Sequence, residues 1–224
     1  MVLVTPTLSS DNFNLTNPNT PQQTKEEWEQ QCEKWRTKFI KEFIPDKEIP
    51  NWEIKAEIQI SISNKEYGET TYNENPSKGG YKIKVSAKTV DSIQKCILPH
   101  EIMHSVFATY CNTTIPRWAD EGYSTYIEPI KITNYVIHNE TPFKIIMNQR
   151  DYPEDVSSFY GQSVQMVEWL VDLKGRIVFR NFVHEYVTTD VEWEPLLNKY
   201  YGFETYQEAQ RQWKMRGLII NVSK

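Results

Sequence analysis

Glycine is scarce, with 8 in 224 residues, while aromatic residues make up 13%. That balance argues against a disordered chain and for a packed core. Cysteine is scarcer still: Cys32, Cys96 and Cys111 are odd in number and widely spaced. This excludes a disulfide framework and a Cys-x-x-Cys zinc or redox site. On one helix Cys96 and Cys111 would stand about 22 Å apart, beyond bridging reach, so the cysteines read as buried thiols. No apolar run approaches the roughly 18 residues of a membrane helix, and no membrane span is expected. Basic excess is also missing. The net charge is −5 and no basic patch stands out, so nucleic acid is not an expected partner. The N-terminal stretch has neither a basic n-region nor a sustained apolar segment, and does not read as an intact signal peptide. Sequons at Asn14, Asn112, Asn139 and Asn221 carry meaning only in a eukaryotic secretory pathway.

Hydrophobic residues at 39% and charged residues at 25% describe a soluble globular chain. The length suits one large domain or two small lobes. In the N-terminal half, "NFNLT" reads as a short strand. Thr20, Pro21 and Gln23 form a capping signal. The helix that follows carries Trp28, Cys32, Trp35, Phe39 and Phe43 at helical spacing, and Pro45 and Pro50 end it. "WEIKAEIQISIS" and "YKIKVSA" alternate as half-buried strands, joined by the turn-rich "NKEYGETTYNENPSKGG", expected to be a loop. In the second strand Tyr81, Ile83 and Val85 share one face and lysines the other, which suits an edge strand. Asp91 and Gln94 then signal a helix in which Pro99 predicts a late start or a bend. After about residue 110 nearly everything reads as helix. The expected fold is α+β and zincin-like. An N-terminal lobe over 1–110 would hold a small mixed or antiparallel sheet, and a helical lobe over 111–224 would complete one catalytic domain with a cleft between them.

Chemistry concentrates in "LPHEIMHSVF". His100 and His104 stand four apart, so on a helix both rings face one point in space. Glu101 lies beside that point, where a metal-bound water would sit. A third ligand is read in "PRWADEGYSTYIE". Glu121 falls on a second helix after sixteen intervening residues, room for a turn and a return. Two histidines and a glutamate make a zinc site with a fourth position open. Gly122 would let two helices approach closely. Thr125 and Glu128 share the face of Glu121, and with Asp120 they are the candidates to orient ligands. The start of "HEYVT" at His184 lacks a second histidine and is assigned no function.

Together, "HEIMH" and "WADEGYSTYIE" resemble the gluzincin metallopeptidases of the thermolysin-like and aminopeptidase-N-like kinds. "FYGQSVQMVEWLVDLKG" is similar to a Tyr-Gly-Gln-Ser helix in small peptidase-MA-like bacterial proteins. The resemblance spans roughly residues 80–215. It implies one Zn2+ per chain held by His100, His104 and Glu121, with Glu101 as general base. It implies Tyr160 as the donor to the oxyanion, with Tyr123 or Tyr126 as alternatives and a plain core aromatic as the competing reading. It also implies a peptide or protein substrate and an exported protein.

Two departures qualify the resemblance. The aminopeptidase Gly-x-Met-Glu-Asn segment is absent, which favours an endopeptidase. Thr125 stands where thermolysin-like enzymes carry an aspartate. The expected function is a zinc-dependent peptidase that binds peptide along Tyr81, Ile83 and Val85 by strand addition. The competing expectation is a zinc-binding interaction module without catalysis.

Overall fold

The computed structural model describes residues 10–19, 24–129 and 141–222. It is an α+β protein with a four-stranded mixed sheet in the N-terminal half, a long helical run through residue 111 and a mostly helical C-terminal half. The chain forms two compact units. The first runs to Asn112 and takes in Glu128; the second holds Thr113–Ile127 and the helices that follow.

In the first unit, strand β1 (Phe13–Asn19) leads into helix α1 (Lys25–Phe43). The cap of α1 lies further along than the expected Thr20–Gln23, which falls outside the described residues. Thr24 accepts from the Glu27 amide and Glu27 reaches back to the Thr24 amide. The capping box therefore pairs Thr24 with Glu27, whose negative charge is also favoured at a helix N-terminus. Trp28, Cys32, Phe39 and Phe43 are buried as expected, and α1 packs on β1 and on the later helix α3.

Strands β2 (Ala56–Ile62), β3 (Tyr67–Thr71) and β4 (Lys82–Ala87) complete the sheet in the order β1-β2-β4-β3. β1 and β2 are parallel, β2 and β4 are parallel, and β3 runs antiparallel to β4. Two expectations are corrected here. The turn-rich stretch between the two alternating segments contains a strand, "YGETT". That strand takes the edge, so β4 is an inner strand with neighbours on both sides. The lysines of β4 face outward without marking an edge. Lys84 pairs across the sheet with Glu69, which sits opposite it in register.

A short helix α2 (Val90–Ser92) and a π-helical turn (Ile93–Ile97) lead into α3 (Leu98–Cys111). The N-cap is Thr89, which accepts from the Ser92 amide, rather than Asp91. The expected bend before His100 takes the form of the π turn. Pro99 cannot donate to a preceding carbonyl. The Leu98 amide bonds the Ile93 carbonyl five residues back, and Pro99 falls in the first turn of α3, where its missing donor costs little. Nearly every side chain of α3 is buried. Trp52 and Tyr81 both hydrogen-bond Thr109 from the sheet side, and Asn112, at φ 51°, ends the helix in a left-handed turn.

The second unit is built of α4 (Arg117–Tyr126), α5 (Phe143–Met147), α6 (Val156–Lys174), α7 (Arg176–Thr188), α8 (Trp193–Tyr201) and α9 (Tyr206–Val222). α4 lies against α6. Gly122 makes this possible: a Cβ there would stand 2.5 Å from the Ser163 carbonyl oxygen. The rings of Phe143, Trp193 and Trp213 centre another part of this core, with centroids 5.7–5.9 Å from Phe143.

Candidate metal centre

His100 and His104 project from the same face of α3, one turn apart, with ring centroids 4.7 Å from each other. The group His100, Glu101 and His104 offers ligand atoms that all lie within 4.8 Å of one another. A tetrahedral zinc ion with bonds of about 2.0–2.1 Å brings its ligand atoms to roughly 3.4 Å, within reach of side-chain rotation. Glu101 and His104 are buried, at 5% and 7% exposure.

Glu128, in the same compact unit, supplies the detail that bears most on metal fit. Its Oε1 lies 2.8 Å from His100 Nδ1. A carboxylate at this distance favours the tautomer with its proton on Nδ1, the one in which Nε2 is the ligating nitrogen. Both side chains are largely withdrawn from water, at 12% and 8% exposure, so the ring orientation is fixed before any ion arrives. The donor set therefore suits a metal ion.

Glu101 is held from the sheet. The Thr70 hydroxyl donates to Glu101 Oε2 at 2.6 Å and lies 3.1 Å from the Glu101 carbonyl oxygen. Gly68, two residues earlier on the same face of β3, lies so close that an added Cβ would stand 2.2 Å from Glu101 Oε1. Neither residue was singled out in the sequence. Their strand is short and sits in turn-rich surroundings, and only its pairing with β4 aims them at α3.

In the second unit, Glu121 is buried at 2% exposure on α4. Its Oε1 accepts a hydrogen bond from the Tyr152 hydroxyl and lies 3.8 Å from Arg117. Arg117 also stacks over the Tyr152 ring at 4.8 Å. Tyr160, on α6, stacks on Tyr152 with centroids 6.3 Å apart. Burial, and then the charge of Glu121, push both phenols well above the ordinary tyrosine range, so both stay protonated donors at neutral pH. Tyr160 stands near Glu121, and Tyr152 and Arg117 had no signal in the sequence. Asp120 is buried on the same helix. Thr125 is buried too, and its hydroxyl has no hydrogen-bond partner among the described residues. Of the three orienting candidates, Glu128 holds His100.

The expected peptide-binding residues are corrected by the fold. Tyr81, Ile83 and Val85 are at most 2% exposed. Tyr81 precedes β4 with its hydroxyl bonded to Thr109, and Ile83 and Val85 point into the core. A strand with two neighbours has no free ladder to offer a peptide. Comparison of the chain with protein-family models, curated proteins and solved structures returns no significant match.

Proposed function

We propose that the protein is a zinc-dependent metallopeptidase, with His100 and His104 as ligands, Glu121 as the third ligand and Glu101 as general base. The observation that carries this reading is the Glu128–His100 bond beside a buried Glu101 and His104. A carboxylate that orients an imidazole is the usual companion of a metal-ligating histidine. Glu121 as third ligand rests on the spacing of the two sequence motifs and on its buried carboxylate.

When bound, the zinc ion would supply Lewis acidity, lowering the pKa of water toward ~7 and polarising a carbonyl. Glu101 would accept the proton of the attacking water and deliver it to the leaving amine. Its oxygen bonded to Thr70 stays oriented while the other takes the proton. Tyr160 would donate its hydroxyl to the developing oxyanion. β3, which among the described residues has β4 as its one neighbour, would receive an extended peptide by strand addition. A panel of denatured proteins and quenched peptides tests the reading. The wild type should cleave and Glu101→Gln should not; cleavage by the variant at the wild-type rate would refute the mechanism.

One observation favours a second reading. Glu101 belongs to the same close group as the two histidines, so it could itself be a ligand of a non-catalytic metal-holding module. Metal content of Glu101→Gln separates the two. Retained metal supports the general base, and lost metal with an inactive wild type supports the module.

A further inference from the structure

We propose that Thr70 and Gly68 are positioning residues for Glu101, so that the edge strand sets where the carboxylate on α3 can stand. The kinetic part of this proposal rests on the peptidase reading; the structural part does not.

Two contacts from one strand face carry the inference. In register, Gly68 lies opposite Val85 and Thr70 opposite Ile83, and those partners face the buried side of the sheet. Gly68 and Thr70 therefore share the face turned toward α3. Thr70 grips one carboxylate oxygen at 2.6 Å and lies 3.1 Å from the backbone carbonyl of Glu101. That ties the side chain and the helix backbone to the same hydroxyl. Gly68 acts on the other oxygen. A methyl group there would meet Oε1 at 2.2 Å, Ile97 Cγ2 at 2.8 Å and Glu101 Cδ at 2.9 Å. The carboxylate occupies the volume that any other residue would fill. An edge strand otherwise gains from losing a glycine, since glycine lacks a side chain to pack and costs chain entropy. At this position its bare Cα is what admits Glu101.

A carboxylate pinned through one oxygen and bounded at the other has few orientations left. A general base works only when its free oxygen meets the water at hydrogen-bond distance, and a misplacement of about 1 Å can cost about 100-fold in rate. The strand that would receive the substrate thus also aims the base.

The test uses the full-length, metal-loaded protein as Thr70→Val, Thr70→Ser and Gly68→Ala, with Glu101→Gln as reference. Crystal structures read the Glu101 side-chain torsions. The carboxylate should leave its wild-type position in Thr70→Val and Gly68→Ala and keep it in Thr70→Ser. An unmoved carboxylate in the first two overturns the proposal, whether or not the protein cleaves peptides. If the wild type is active, kcat should fall about 10- to 100-fold in Thr70→Val and Gly68→Ala. KM and metal content should hold, and Thr70→Ser should recover most of the rate. An inactive wild type with a displaced carboxylate in the variants would remove the peptidase reading and leave the positioning intact.

Discussion

At the residue scale, two hydrogen bonds to glutamate yield sharp expectations. Glu128→Ala frees His100 Nδ1 and with it the ring orientation. Metal affinity should fall about 10- to 100-fold, read by competitive titration with a chromogenic chelator; unchanged affinity would mean that Glu128 does not tune the ligand. Tyr67 gives a pH test away from the site. Its hydrogen bond to Glu69, then a small burial effect, push the phenol from the ordinary 10.0 up to about 12. A pKa raised on folding favours the protonated, folded form. The associated stability is complete below about pH 10 and is lost as pH rises through about 12. NMR titration of ring-labelled tyrosine should show Tyr67 ionising near that upper value, and near 10 in Glu69→Ala. The histidines and Glu101 were legible in the sequence because their geometry is local: positions one helical turn apart fix it. The grip of Thr70 and Gly68 on Glu101 crosses 31 residues from Thr70 and exists only once the sheet has formed.

At the element scale, local signals located helices well and strands less well. The long helices were readable from periodicity and from Gly175, which ends α6 at φ 87°. The edge was misplaced because outward lysines on β4 look the same whether their strand is flanked on one side or on two. β3 was hidden because five residues containing a glycine and two threonines carry little alternation. The α4–α6 contact yields an element-level expectation. In Gly122→Ala the new methyl would meet the Ser163 carbonyl oxygen at 2.5 Å and Val167 Cγ2 at 2.7 Å. Backbone stands on one side of that clash, so the helices must separate. A loss of about 1–3 kcal/mol is expected, seen as a lower urea midpoint. A midpoint equal to wild type would show that the two helices can slide without cost. Thr24→Ala should cost about 1 kcal/mol through the lost cap.

At the scale of the whole molecule, the chain joins a mixed sheet and its buried helix to a helical unit, and no family model, curated protein or solved structure matches it. The functional reading therefore rests on chemistry: two histidines one turn apart, a carboxylate between them, and a glutamate orienting one ring. Metal content of dialysed, untagged protein by elemental mass spectrometry decides whether that chemistry is used, with His104→Ala and Glu121→Ala alongside. The expected result is about one zinc per chain in the wild type, lost in His104→Ala and reduced in Glu121→Ala. A wild type that takes up no metal after zinc is added back would contradict the account and leave α3 as a buried helix that happens to carry two histidines.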